Sequence, residues 1–373
     1  MKDYLYQKFT VLTEKDFILK NSDSTNLDKG SFTWQSPSNI ALVKYWGKSE
    51  PQIPKNASIS FTLSNCHTKT TLEFSEKTTP SKEYSIEVIF EGKKNKDFKP
   101  KIISFFERIK KYIPFITEYD FVIKTENSFP HSSGIASSAS GMSALALCLM
   151  RMEKELNPNI SDEYFKQKAT FLARLGSGSA ARSVEGPLVV WGEHNVILES
   201  SNLYGVKFPF KVHQNFKNYQ DTILLVDKGE KQVSSTVGHQ LMMDHPFAQQ
   251  RFIQANENIQ KLSEILQNGD LNAFVNLVES EALTLHAMMM TSNPYFILMK
   301  PNTLKIIEKI WEYRKNNTSN ISFTLDAGAN VHVLFPESEK EKVTSFITNE
   351  LLAFCQNNQY ICDYVGFGAM NIE

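Results

Sequence analysis

The sequence predicts an α+β protein built as two lobes. Three observations point that way. The first half carries several short runs of β-branched and aromatic residues bounded by turn chemistry, the mark of an antiparallel sheet. A loop of small residues then feeds a long helical stretch that is apolar on more than one face, as a helix covered by a sheet must be. Beyond about Val206 the pattern restarts with a strand, long helices and further strands. The 373 residues suit two units, since one domain takes ~100–200 residues.

In chain order, residues 1–30 read as an extension that ends in the polar stretch NSDSTNLDKG. Strand-like runs follow in SNIALVKYW, ASISFTL, TKTTLEF and YSIEVIF. Phe105–Ile113 has helical periodicity, and YDFVIKTEN reads as a strand. SFPHSSGIASSASGMSALALCLMRMEKEL is the small-residue loop and its helix. SDEYFKQKATFLARLG is a second helix, with Ser161 as N-cap, Glu163 in the first turn and Gly176 as stop. The strand PLVVWGE closes the first lobe, expected to span residues 31–205. In the second lobe, residues 206–373, strand DTILLVD precedes helices over HPFAQQRFIQANENIQKLSEIL, Ala273–Met290 and Thr303–Lys315. Strands ISFTLDAG and VHVLFP, helix EKEKVTSFITNELLAF and the terminal YVGFGAMNI complete it.

Composition excludes several classes. The chain is 41% hydrophobic and has 40 basic against 41 acidic residues, a net charge of −1. A disordered chain combines low hydrophobicity with high net charge, and a nucleic-acid binder shows a basic footprint; neither is present. No apolar run reaches the ~18–20 residues that span a bilayer. The start, MKDYLYQKFTVLTEKDF, has acidic residues and no apolar core of a secretory signal. Cys66, Cys148, Cys355 and Cys362 form no CxxC pair and lack zinc-ligand spacing to histidines. A cytoplasmic protein with reduced thiols and no resident metal is expected.

Four clusters carry chemistry. In Pro130–Met142, glycines flank small residues where a helix begins. Successive N–H groups and the helix dipole there attract anions, although a tightly packed helix start demands the same small residues. It is not a Walker A loop, because no Gly-Lys-Ser/Thr ends it. Gly176–Ser183 carries Arg182 near its end, whose guanidinium can grip a carboxylate or phosphate; the alternative is a plain turn with an exposed arginine. Lys44-Tyr45-Trp46-Gly47-Lys48 places two lysines at a strand end, to meet an anion or only to be solvated. Asp326, after Thr324-Leu325, is either a turn cap or a catalytic carboxylate.

Together the stretches NIALVKYWGK, NASISFTL, NSFPHSSGIASSASG, RLGSGSAARS, VSSTVG, LHAMMMTSNP and FTLDAGAN resemble the diphosphomevalonate decarboxylases, within the superfamily of galactokinase, homoserine kinase and mevalonate kinase. The resemblance runs from about Phe32 to the C-terminus. It implies the GHMP-kinase-like fold, with a ribosomal-protein-S5-like N-terminal lobe and a ferredoxin-like C-terminal lobe. It also implies ATP with magnesium as cofactors, 5-diphosphomevalonate as substrate and a homodimer. By that resemblance Asp326 takes the proton of the 3-hydroxyl, Lys44 stabilises its ionised form, and Arg182 holds the substrate carboxylate. Tyr45, Trp46, Gly47, Lys48, Ser177, Gly178, Ser179, Ala180, Ala181 and Thr236 would line the substrate site. Ser133, Gly134, Ala136, Ser137 and Ser138 would face the nucleotide phosphates. Where some relatives place an arginine for the terminal phosphate, segment 84–100 offers Lys93 and Lys94. A kinase that stops at the phosphorylated intermediate and a non-catalytic nucleotide binder are the competing readings. Keeping Asp326, Lys44 and Arg182 together argues for the decarboxylase.

Overall fold

The computed structural model describes residues 11–19, 27–79, 81, 83–130, 135–228 and 235–372, with the side chains of Ser235 and Thr236 excepted. Strand β1, Lys29–Val43, ends where the sequence turns to Lys44-Tyr45-Trp46. A small hairpin of β2, Lys48–Ser49, and β3, Ile53–Pro54, follows. β4 then runs from Ser58 to Glu76 and pairs antiparallel with β1. Two separate strands are expected over this stretch, yet the chain makes one. The polar residues between the two apolar runs are absorbed by a bulge, where pairing jumps from Pro37–His67 to Asn39–Thr62. The Asp363 carboxylate holds that bulge by accepting the N–H groups of Ser64, Asn65 and Cys66 at 2.8, 2.8 and 2.7 Å.

β5, Ser85–Phe90, and β6, Lys93–Lys94, form the far side of the same sheet. Helix α1 covers Lys99–Ile109, starting earlier than the periodicity predicts. Pro100 occupies its first turn, where a missing N–H costs nothing. β7, Tyr119–Asn127, lies between β4 and β5, antiparallel to the first and parallel to the second. Helix α2, Ser137–Leu156, packs on β1 and β4 and is buried on most of its circumference. α3, Asp162–Gly176, packs on α2, and its Ser161 cap accepts the Tyr164 N–H at 3.2 Å. β8, Leu188–Trp191, joins β4, and β9, Gly205–Lys207, joins β8. Phe17, in the expected extension, is fully buried and stacks on Phe171 at 4.3 Å. At least that part of the N-terminal stretch belongs to the core.

The second half opens with β10, Gln220–Leu224, and the short helix α4, Ser235–Gln240. α5, Ala248–Asn268, and α6, Leu271–Met290, pack together. α7, Pro301–Asn317, leads to β11, Ser322–Thr324, and β12, Val331–Phe335. The last predicted helix is regular only as α8, Lys340–Phe346. It widens to a π turn over Ile347–Leu351, which keeps Phe346, Ile347 and Leu351 in the core. β13, Tyr360–Tyr364, completes a second sheet ordered β11-β12-β10-β13. The chain then returns to the first sheet, pairing β14, Met370–Asn371, with β1.

A shared apolar layer joins the two sheets. Ile40, Phe61 and Val190 from the first pack with Tyr219, Ile223 and Phe274 of the second half. The C-terminal ends of β1 and β11 are thereby brought side by side.

Candidate active site

Lys44 follows the last residue of β1 and is 1% exposed. Its Nζ donates to Asp326 Oδ1 at 3.1 Å. Asp326 stands just past β11, with its side chain 29% exposed, so the carboxylate faces the open side of the pair. Burial lowers the Lys44 pKa, and Asp326 only partly opposes that; the nearby Arg182 charge lowers it further. A buried ammonium beside a half-open carboxylate is suited to meet a negatively charged reacting group.

Beyond the end of β1 the Lys44 peptide has lost its strand partner, and side chains take over. Its N–H donates to Glu281 Oε2 at 2.8 Å, and its carbonyl accepts from Asn56 Nδ2 at 3.0 Å and Arg251 at 3.2 Å. Asp326 is held by its backbone too. Its carbonyl accepts the Gly328 N–H at 2.7 Å and a bond from His286 Nε2 at 3.1 Å.

Arg182 is the third expected catalytic group and is 3% exposed. The exposed-turn alternative is therefore excluded. Ser58 and Ser60, two apart on β4 and so on one face, accept from its NH1 and Nε at 2.5 and 2.6 Å. The guanidinium lies over Trp191, 5.8 Å from the ring centroid. Burial lowers its pKa to about 10, which leaves it charged at neutral pH. No hydrogen bond is made by its other terminal nitrogen among the described residues.

Tyr45 and Trp46 form an aromatic wall with His239, at centroid distances of 4.2 and 4.7 Å. The Tyr45 hydroxyl and Trp46 Nε1 are buried and find no hydrogen-bond partner among the described residues. Such atoms are costly unless something supplies a bond. Gly47 has φ +99° and donates its N–H to His239 Nδ1 at 3.0 Å. A Cβ there would meet the Phe252 ring at 2.9 Å. Lys48 reaches Gln52 Oε1 at 2.9 Å. Burial pushes the His239 pKa down to about 3, so it stays neutral.

Gly178–Arg182 coil as a short 3-10 turn. Ser143 of α2 donates to the Ala180 carbonyl at 2.9 Å, and Asn39 of β1 donates to the Ser183 hydroxyl at 2.7 Å and the Ser179 carbonyl at 3.3 Å. Ala180 and Ala181 are fully buried, so their small size lets the turn sit down on α2 and β8. A Cβ on Gly178 would stand 2.8 Å from Trp191 and 2.9 Å from the Tyr45 hydroxyl. Ser177 Oγ meets Ser138 Oγ at 3.3 Å, which joins this turn to the start of α2.

Ser137 and Ser138 open α2, and Ala136 before them is in the left-handed region at φ 46°. A non-glycine residue there is strained, and such strain gathers at ligand sites. Ser133 and Gly134 lie outside the described residues, as does the side chain of Thr236. Beside Ser137 and Ser138 opens a cavity of about 160 Å³ lined by Phe90, Phe98, Ile102 and Met142. Lys93 and Lys94 are exposed on β6, where Lys94 pairs with Glu87 at 2.7 Å.

Sequence reasoning missed Asn39, Ser58, Ser60, His239, Glu281, Arg251 and His286. A faint signal existed for five of them: Asn39 lies in NIALVKYWGK, and Ser58 and Ser60 lie in NASISFTL. His286 lies inside the LHAMMM stretch, and Glu281 is an acid within an otherwise apolar helix face. The others gain meaning only from what they touch.

Comparison with known proteins identifies the family. Residues 36–202 match the diphosphomevalonate decarboxylase-like N-terminal domain, and residues 222–365 match the mevalonate 5-diphosphate decarboxylase C-terminal domain. The diphosphomevalonate decarboxylase of Debaryomyces hansenii is 28% identical over 332 residues, 84% of this chain and 81% of that one. Among solved structures, a complex with MVAPP, AMPPCP and magnesium is 26% identical with TM-score 0.78, covering 92% of this chain and 99% of that one. The mevalonate diphosphate decarboxylase of Staphylococcus aureus is 27% identical with TM-score 0.77, covering 92% and 98%. The chain, with its Lys44–Asp326 pair and its GHMP-kinase fold, belongs to the diphosphomevalonate decarboxylase family.

Proposed function

We propose that this protein converts 5-diphosphomevalonate and ATP into isopentenyl diphosphate, ADP, phosphate and carbon dioxide. Support comes first from the Lys44–Asp326 pair at 3.1 Å, one partner just past β1 and the other just past β11, with buried Arg182 alongside. Asp326 accepts the proton of the 3-hydroxyl as its oxygen takes the γ-phosphoryl group. Lys44 keeps the carboxylate ionised and balances developing negative charge. The C3–O bond then breaks, phosphate departs with that electron pair, and the carboxylate carbon leaves as carbon dioxide. Its C–C electron pair becomes the new double bond. Arg182 holds the carboxylate so that this bond stands ready to break.

Tyr45, Trp46, Gly47, Lys48, the turn Ser177–Arg182 and Thr236 are the proposed substrate contacts, and the unpartnered Tyr45 hydroxyl and Trp46 Nε1 support that. Ser133, Gly134, Ala136, Ser137 and Ser138 are the proposed phosphate contacts, and the apolar cavity beside α2 suits a flat base. Among the described residues no group of three histidine, cysteine or acidic side chains could hold a metal. The hydroxyls of Ser137 and Ser138 at the start of α2 would lie beside a magnesium ion carried in on the nucleotide phosphates. Bound there, magnesium would neutralise phosphate charge during transfer.

A homodimer in the cytoplasm completes the reading, with the lobes dividing near residue 205. No described helix is long and apolar enough to cross a membrane. Among the described residues none of the four cysteines forms a disulfide, as a reducing compartment would leave them.

The test is to incubate the protein with magnesium, ATP and 5-diphosphomevalonate and follow ADP, phosphate and carbon dioxide together. Equal yields of all three are expected. ADP without the other two would make it a kinase. No ADP, with turnover restored by 5-phosphomevalonate, would change the phosphorylation state of the substrate.

A further inference from the structure

Helix α6 hydrogen-bonds to the backbone of both members of the Lys44–Asp326 pair. Glu281 is fully buried. Its Oε2 accepts the Lys44 N–H at 2.8 Å, while Arg251 of α5 clasps both carboxylate oxygens at 2.9 and 2.5 Å and Asn258 donates to Oε1 at 2.6 Å. Arg251 also donates to the Lys44 carbonyl at 3.2 Å. About a turn and a half further along the helix, His286 meets the Asp326 carbonyl at 3.1 Å. Since a carbonyl only accepts, His286 must carry its proton on Nε2.

We infer that Glu281, braced by Arg251, and His286 are positioning residues whose shared helix sets the distance between Lys44 and Asp326. Lys44 directly follows β1 of the first sheet and Asp326 lies just past β11 of the second, and β1 and β11 do not pair with each other. The shared apolar layer brings the two sheets together, and a helix anchored to both backbones adds a constraint at the pair itself. Neither residue needs to touch substrate to act in this way. Glu281 is satisfied by Arg251 and Asn258 and also supplies the acceptor that the buried Lys44 N–H needs beyond the end of β1.

The inference rests on the decarboxylase reading, so each variant is assayed beside the unaltered enzyme. Failure of the latter to turn over would sink the reading itself, whereas turnover unchanged by the variants would sink only the positioning role. The groups facing Lys44 are Asp326, Glu281, Arg182, Arg251, His286 and Asp221. His286→Phe keeps the ring volume and loses the donor; His286→Gln keeps an amide donor. The Phe variant is expected to lose kcat by ~10²-fold, as a misplacement of about 1 Å can, with KM nearly unchanged. Its alkaline limb should move to lower pH as Asp326 slips away from the Lys44 ammonium, and the Gln variant should recover most of both. Glu281→Gln, read by kcat against KM and not by the alkaline limb, since the Glu281 charge itself raises the Lys44 pKa, covers the case in which His286→Phe fails to fold. A folded Phe variant with kcat within twofold and an unmoved alkaline limb would overturn the inference. So would a kcat loss that Gln leaves equally deep.

Discussion

Asp326 is the side chain on which the proposed chemistry turns. Replacing it by asparagine keeps the shape and removes the base, so kcat should fall by ~10²–10⁴-fold, with KM for substrate changed only a few-fold, as measured by ADP release. Lys44 allows a second prediction. Burial holds its pKa below the usual 10.5, and the proposed role needs the ammonium. Activity should therefore fall as pH rises through a value under 10.5. Asp326 raises that value, so asparagine at 326 should bring the limb lower still; a pH profile of kcat/KM between 7 and 10.5 decides. Arg182→Lys is not conservative, because Ser58 and Ser60 hold Nε and NH1 separately, a fork that lysine lacks. KM for substrate should rise sharply in that variant. At this scale Asp326, Lys44 and Arg182 were legible because their residue types sit in recognisable stretches. Glu281 and Arg251 were not, since a buried ion pair looks like any surface pair until its neighbours are known.

Among the elements, the helices were the most legible. α3 began and ended at its predicted cap and stop, for Ser161 and Gly176 act within a single turn of local chain. β4 was misjudged because its break is polar in sequence but paired in space. The Asp363 clamp that repairs it comes from almost the other end of the chain. Asp363→Ala should leave the bulge N–H groups without an acceptor and destabilise the fold by about 1–3 kcal/mol. Urea unfolding measures this, with Asp363→Asn recovering part. The turn Gly178–Arg182 carries its own prediction. An alanine at 178 would stand 2.9 Å from the Tyr45 hydroxyl and 2.8 Å from Trp191. Gly178→Ala should push Tyr45 out of place and raise KM more than it lowers kcat.

The whole molecule couples its stability to the site. His239 and His286 are held neutral by burial, with pKa values down to about 3 and about 4. Unfolded, each would take up a proton near pH 6.5. Between those values the unfolded chain binds more protons, so stability is full above about pH 6.5 and is lost as pH falls. The melting temperature should drop between pH 7.5 and pH 5.0, less steeply in His286→Phe. A flat profile would contradict the buried neutral state of both rings. By itself the sequence determined the α+β class, most of the helices and the residue types of the site, because caps, periodicity and short motifs are written in neighbouring residues. Only the tertiary structure decided that β14 returns to the first sheet, that Phe17 is core, and that α6 grips Lys44 and Asp326 together. Those contacts join residues remote in the chain, and nothing local in the sequence encodes which distant partner will satisfy a buried polar group.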